Sequence, residues 1–259
     1  MHLEQHEEIM TNTAILSDIH GNYDALEAVL DDMEEVERCI CIGDLVGYGA
    51  EPIKVLQRVR EEKFDLVLKG NHDDAVINGA SNFNPLARKS IDWTRQVIQE
   101  EAPDLISYIE TLSSSHSEGR ILYVHASPRD PLMEYLLPSD CFSIMSDVPE
   151  KIRENLDLVD HLCFFGHTHK PGIITEEADY LVPETLGSRA EFEEDKKYLV
   201  NVGSVGQPRD GDPRACYVTT DGDAVEYHKV EYDIASAQKK IRAVDALDNR
   251  LAMRLESGN

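Results

Sequence analysis

Apolar residues fall along the chain in two rhythms that take turns. Thr13-Ala14-Ile15-Leu16, Arg38-Cys39-Ile40-Cys41-Ile42 and Asp65-Leu66-Val67-Leu68 have the length and continuity of buried strands. Between them Leu26, Val29, Leu30 and Met33, then Pro52, Val55, Leu56 and Val59, recur at helical spacing. Asn22 or Asp24 can cap the first helix, and Pro52 stands near the first turn of the second, where its missing N–H does no harm. Three β-α repeats with short connections imply a largely parallel sheet reached by right-handed crossovers.

From Pro85 to Leu112 the rhythm is helical throughout, broken at Pro103, and reads as a helical insertion near residues 85–112. The polar run Ser113-Ser114-Ser115-His116-Ser117 reads as a loop before the strand Ile121-Leu122-Tyr123-Val124. Loop and helix fill Ala126 to Asp160, and Leu162-Cys163-Phe164-Phe165 is a further strand. Beyond Pro171 the texture is β-rich: Gly172-Ile173-Ile174, Tyr180-Leu181-Val182, Tyr198-Leu199-Val200, Cys216-Tyr217-Val218 and Val225 to Val230, with Asp221-Gly222 as a hairpin turn between the last two. These strands are expected to form a second sheet packed on the first. Ile234, Ala237, Ile241, Val244, Leu247, Leu251 and Leu255, spaced by threes and fours, close the chain as one amphipathic helix covering the sheet. Residues 13–259 read as one domain behind a flexible leader at 1–12.

The residues that end the apolar runs point to chemistry. Asp18 and His20, Asp44, Asn71 and His72, His125, and His167 and His169 all stand where a strand gives way to a loop, the edge at which open α/β sheets bind ligands. Five of the ten histidines lie in these loops. Taken singly, Asn71 reads as a cap and His125 as a satisfied core histidine. Together, imidazole, carboxylate and amide oxygen suit divalent Mn, Fe, Zn, Ni or Co, and the absence of cysteine argues against a structural zinc knot. The donors outnumber one tetrahedral set and fit two cations sharing a carboxylate, the arrangement that clamps both oxygens of a displacement at phosphorus.

Composition narrows the function classes. With 25 Lys and Arg against 50 Asp and Glu, the formal net charge is -25, which disfavours a nucleic-acid polymer as partner. Two dications would offset only about four of those charges. A salt-adapted source is a weaker reading of the same acidity. Cys39, Cys41, Cys141, Cys163 and Cys216 are odd in number and form no Cys-x-x-Cys pair, so a reducing cytoplasm is expected and a disulfide framework is not. Cys39 and Cys41 alternate with Ile40 and Ile42 and read as core residues on one side of a strand. No apolar stretch has bilayer-spanning length, and the acidic start lacks the features of a secretory signal, so no membrane partner is expected.

Asp18-x-His20, Gly43-Asp44-x-x-Gly47, Gly70-Asn71-His72-Asp73, Val124-His125 and Gly166-His167-x-His169, five motifs in order between about residues 13 and 206, resemble the series of the calcineurin-like metallophosphoesterases. The resemblance implies an α/β/β/α sandwich: an α/β fold of four layers, two mixed sheets flanked by helices. It implies Asp18, His20 and His169 on one metal, Asn71, His125 and His167 on a second, and Asp44 bridging them. His72 would stay off the metals and act on the leaving group, while a hydroxide between the metals attacks phosphorus. The protein Ser/Thr phosphatase and symmetrical diadenosine tetraphosphatase branches carry an Asp-Arg pair after the second motif. Here the loop reads Asp44-Leu45-Val46-Gly47-Tyr48-Gly49, more like the small stand-alone prokaryotic phosphoesterases. Asn22, Arg129, Arg209 and Arg214 are then the candidates to meet substrate, since a planar guanidinium binds two oxygens at once. The expected activity is hydrolysis of a small phosphodiester or phosphomonoester, with a nucleotide among the candidates, using two divalent ions, manganese foremost. The alternatives are a phosphoprotein or diadenosine polyphosphate hydrolase, a nuclease, and a metal-binding scaffold without turnover. Oligomeric state is left open.

Overall fold

All four residues of β1 (Thr13–Leu16) are buried, because the apolar run Ala14-Ile15-Leu16 is stable only at the centre of a sheet covered on both faces. The computed structural model describes residues 12–33, 36–62, 64–143 and 147–259, so the leader, apart from residue 12, lies outside the described residues. After β1 come α1 (Tyr23–Asp32), β2 (Arg38–Cys41), α2 (Pro52–Glu61), β3 (Leu66–Val67), α3 (Asn71–Asn78), α4 (Pro85–Glu101) and α5 (Asp104–Thr111). Next are β4 (Ser115–Glu118), β5 (Ile121–Val124), a 3-10 turn at Pro138–Cys141, α6 (Glu150–Leu156), β6 (Leu162–Phe165), β7 (Gly172–Ile174), β8 (Tyr180–Leu181), α7 (Pro183–Leu186) and β9 (Arg189–Glu191). The chain ends with β10 (Tyr198–Asn201), β11 (Ala215–Thr220), β12 (Ala224–Val230), α8 (Ile234–Arg242) and α9 (Asn249–Ser257).

Two mixed six-stranded sheets result, ordered β3-β2-β1-β11-β12-β9 and β4-β5-β6-β10-β7-β8. In the first, β1, β2 and β3 run parallel and β11 joins β1 antiparallel; in the second, β5, β6 and β10 run parallel. Ile15, Ile40 and Ile42 face Tyr123, Phe164 and Val200 in the core between the sheets. Their neighbours Ala14, Leu16 and Cys41 turn the other way, onto Leu26, Val29, Val55 and Leu56 of α1 and α2. On the far side Val124, Cys163 and Phe165 pack on Ile152 and Leu156 of α6. These are the four layers. Cys39 and Cys41 pack into the same helix-covered cluster, and all five cysteines are free thiols.

Three expectations are corrected. The β-rich part of the chain does not make a sheet of its own: β9, β11 and β12 complete the first sheet, while β7, β8 and β10 complete the second, whose other half is β4, β5 and β6. Long-range pairing of this kind leaves no trace in local periodicity. Ser115–Glu118 is a strand, not a loop; it lies at a sheet edge, where backbone bonds to β5 suffice and polar side chains are tolerated. The closing helix is two, because the turn after α8 stops it and Asp248 caps α9 through Arg250 N (2.9 Å). The apolar spacing runs through the break because both helices bury one face in the same cluster, with Tyr48 and Ala87 rather than against a sheet. Among the described residues no helix is long and apolar enough to cross a membrane.

Candidate metal centre

The carboxyl ends of β1, β2 and β3 in one sheet and of β5 and β6 in the other converge on one crevice, and the loops leaving them are tied together backbone to backbone. Asp18 N donates to Gly43 O (2.9 Å), His20 N to Asp44 O (2.9 Å), Gly166 N to His125 O (2.9 Å) and Gly206 N to Asp18 O (2.9 Å). Asp18, His20, Asp44, Tyr48, His167 and His169 all have positive φ, between 51° and 64°. Only Ala178 and Ser188 share this among the other described non-glycine residues. Such backbone costs about 1–3 kcal/mol per residue and persists where surrounding bonds over-determine it, which is typical of functional sites. Gly70 and Gly166 let the loops close up, since a Cβ on either would collide with the Asp44 or the Asp18 carboxylate.

Each carboxylate is held by one oxygen and left open at the other. His167 N donates to Asp18 Oδ2 (2.9 Å), and His72 N to Asp44 Oδ1 (2.8 Å). Asp18 Oδ1 then lies 3.1 Å from His169 Nε2 and 3.6 Å from His20 Nε2. Asp44 Oδ2 lies 3.5 Å from His20 Nε2 and 3.3 Å from His125 Nε2, and Asn71 Oδ1 is 3.1 Å from that same His125 nitrogen. The Nδ1 atoms of His20, His125 and His169 face the carbonyls of Val46 (3.2 Å), Ile42 (3.2 Å) and Gln207 (2.5 Å). Those bonds put a proton on Nδ1 and turn Nε2 inward, where a bound cation would take its lone pair. The Nε2 atoms of His20 and His169 consequently lie 3.1 Å apart, and Asp18 Oδ1 and His167 Nε2 are buried without a hydrogen-bond partner among the described residues. Buried acceptors converging in this way fit divalent cations, which would satisfy all of them.

Burial works against every charge here. It is outweighed at Asp18 by His169, His20 and His125, which hold the carboxyl well below its ordinary range. At His125 the surrounding Asp44, Asp18 and Asp73 overcome burial and push the imidazole up to about 9. At His167 and His169 burial prevails, helped by the charges of His125 and Arg209 respectively, and lowers them to about 3 and about 4. Burial also keeps His72 neutral. Asp73, raised to about 7 by burial and by Asp44, accepts from the backbone N–H of Gly70, Leu45 and Val46 (2.8, 3.2 and 3.2 Å) and so ties the Asp44 loop to the head of α3.

Residues 12–224 match the calcineurin-like phosphoesterase superfamily domain, most of the chain. The chain belongs to this superfamily. A metallophosphoesterase from Sphaerobacter thermophilus is 34% identical with a TM-score of 0.78, over 96% of this chain and all of that one. An uncharacterized protein of Methanocaldococcus jannaschii is 36% identical over 236 residues, 88% of this chain and 90% of that protein. A hypothetical protein from Pyrococcus horikoshii, 18% identical, shares the fold with a TM-score of 0.71 over 96% of this chain and 99% of its own. Members of the superfamily are phosphoesterase hydrolases that bind divalent metals, and the clusters Asp18–His20–His169 and Asp44–His125–His167 offer this calcineurin-like phosphoesterase such sites.

The structure thus gathers Asp18, His20, Asp44, Asn71, His72, His125, His167 and His169 into one crevice. The four substrate candidates fare differently. Asn22 is spent on the fold: Oδ1 caps α1 at Ala25 N (3.2 Å) and Nδ2 donates to Gly206 O (2.9 Å). Arg129 is paired with Glu134 and Glu154, and Arg214 with Asp212. Of the three candidate arginines, Arg209 reaches the cluster, its guanidinium 5.7 Å above the Tyr48 ring, and that ring is 4.7 Å from His20 and 4.5 Å from His72. Two site residues went unread in the sequence. Tyr48 hid in a glycine-rich loop, and Tyr135, 45% exposed with its ring 4.0 Å from His167, stands in a segment with no periodic signal.

Proposed function

We propose that the protein hydrolyses a small phosphodiester or phosphomonoester at a two-cation site, with Asp44 as the shared ligand. The observation that carries this reading is the position of Asp44 Oδ2, 3.5 Å from a nitrogen of the Asp18–His20–His169 set and 3.3 Å from a nitrogen of the Asn71–His125–His167 set. The cations, when bound, supply a water of lowered pKa and neutralise phosphoryl oxygens. Manganese is the first candidate; iron, zinc, nickel and cobalt suit the same nitrogen and oxygen donors.

The residues do the rest. The carbonyls of Val46, Ile42 and Gln207 hold three imidazoles in the ligating tautomer. His72, neutral and fixed by its own N–H to Asp44, donates a hydrogen bond to the leaving oxygen. Arg209 meets a phosphate of the substrate at the edge of the crevice, where the Asp44 loop itself carries no arginine. The free thiols agree with a reducing, cytoplasmic setting. Chelated protein, checked by elemental analysis, is assayed with p-nitrophenyl phosphate and bis-p-nitrophenyl phosphate while each metal is added back. Activity should vanish and return, most strongly with Mn, Ni or Co, at two ions per chain; full activity in metal-free protein would refute the reading.

A further inference from the structure

The superfamily domain ends at residue 224, and the α8–α9 hairpin lies beyond it. The hairpin buries Ala237, Ile241, Leu251 and Leu255 in one cluster with Tyr48, the ring that walls the metal centre beside His20 and His72. The end of α9 also grips the loop after Arg209. Gly211 N donates to Gly258 O (2.9 Å), and Gly258 sits so close to the Asp212 backbone that a Cβ would collide with it. Helix α9 is therefore docked on both the Tyr48 wall and the Arg209 loop, and Arg254, half-buried, lies one turn before Gly258.

Arg254 makes no ion pair or hydrogen bond through its guanidinium among the described residues, whereas Arg129, Arg214 and Arg250 are all ion-paired in a chain with 50 Asp and Glu. The Arg209 guanidinium meets only neutral partners among the described residues, Gln207 Oε1 (2.8 Å) and Tyr48, and its Nε is buried without a partner. Burial and then the positive charge of Arg209 hold Arg254 below its ordinary value. Neighbouring guanidiniums left without a counter-charge cost free energy unless an anion joins them. Two dications, when bound, would balance one phosphoryl group, so Arg209 over the Tyr48 ring together with Arg254 exceeds what a single phosphate needs.

We propose that the α8–α9 hairpin completes a second anion subsite, in which Arg254 acts with Arg209 to hold a second phosphate of the substrate beyond the one that is cleaved. The preferred substrates then carry two phosphoryl groups, as phosphoanhydrides and bisphosphates do. The proposal rests on the phosphoesterase reading but is tested apart from turnover. Calorimetry on the metal-loaded full chain, with free Mn fixed in excess, compares inorganic pyrophosphate with orthophosphate. Wild type should bind pyrophosphate at least about tenfold more tightly. Arg254→Met, which keeps the packed stem, should erase most of that preference, and Arg254→Lys should restore part of it. A preference unchanged in Arg254→Met, an equal loss for both anions, or no preference in wild type would overturn the subsite. If Arg254→Met melts early, the Arg254→Lys comparison decides alone: full retention of the preference with a single ammonium refutes paired guanidinium binding. Failure of metal-dependent hydrolysis in wild type would instead refute the phosphoesterase reading and leave these binding results to stand by themselves.

Discussion

Asp44→Asn tests the shared carboxylate most sharply. Asp44 Oδ1 accepts from His72 N at 2.8 Å, while Oδ2 faces both donor sets, so the carboxamide can serve only one of these duties. If its oxygen keeps the His72 bond, an NH2 points at the place where two cations must share a ligand. If it flips, two buried donors oppose each other at roughly 1–3 kcal/mol. The first orientation wins and the fold survives, since the core strands lie behind the loop. What is lost is the negative charge between two cations; if about 4 kcal/mol of transition-state stabilisation goes with it, turnover falls roughly a thousandfold. His20→Ala removes one terminal ligand and leaves Asp18, His169 and Asp44, so a weakened site refills by mass action when metal is raised in proportion. Hydrolysis of p-nitrophenyl phosphate, followed as Mn is titrated from micromolar to millimolar, should climb for His20→Ala and stay flat for Asp44→Asn. Equal rescue of both variants would mean that Asp44 is an ordinary ligand, and the shared-carboxylate mechanism would fall.

His72→Asn should keep its metals yet lose about two to four orders of magnitude on alkyl phosphates, and less on nitrophenyl esters whose leaving oxygen needs little help. Loss of one metal on desalting would show that His72, which lies within ligand reach of His20 and Asp44, is a ligand instead. The chelated protein should be most stable near pH 6.5–7. Below that, the unfolded chain takes up protons that His167 (about 3) and His169 (about 4) refuse, so stability falls toward pH 4. Above it, the contribution of His125, complete below its unfolded value, fades as pH rises through about 9. A melting temperature that rises steadily from pH 5 to pH 9 would contradict these assignments.

Local pattern carried α1, α2, α4 and α5 and the central strands because each has one strong requirement. β1 is buried on both faces between β2 and β11 and so draws on Ala14, Ile15 and Leu16, and α4 and α5 part where Pro103 interrupts the ladder. β4 was illegible for the opposite reason, as an edge strand asks little of its side chains. The split of the β-rich half between two sheets was illegible too. Thr13 meets Thr220 across more than two hundred residues, and nothing in either neighbourhood names the other.

The site was legible as a set of donors but not as a geometry, and the difference lies in the backbone. Strand-end position and residue type pick out Asp18, His20, Asp44, Asn71, His125, His167 and His169 one loop at a time. Their convergence depends on left-handed φ at five of them and on glycines that allow the loops to touch. Asn22 shows the limit of reading by type, since the same side chain can cap a helix or meet a ligand, and here both of its ends are taken by backbone groups. The arginines show it again. Arg129 and Arg214 have carboxylates within a few residues in sequence and find them, whereas Arg209 is carried by its loop over the Tyr48 ring, and Arg254 arrives beside that loop on a helix outside the superfamily domain. In a chain of net charge -25, Arg209 and Arg254 both stay out of ion pairs among the described residues, and α9 docks on the loop that carries Arg209.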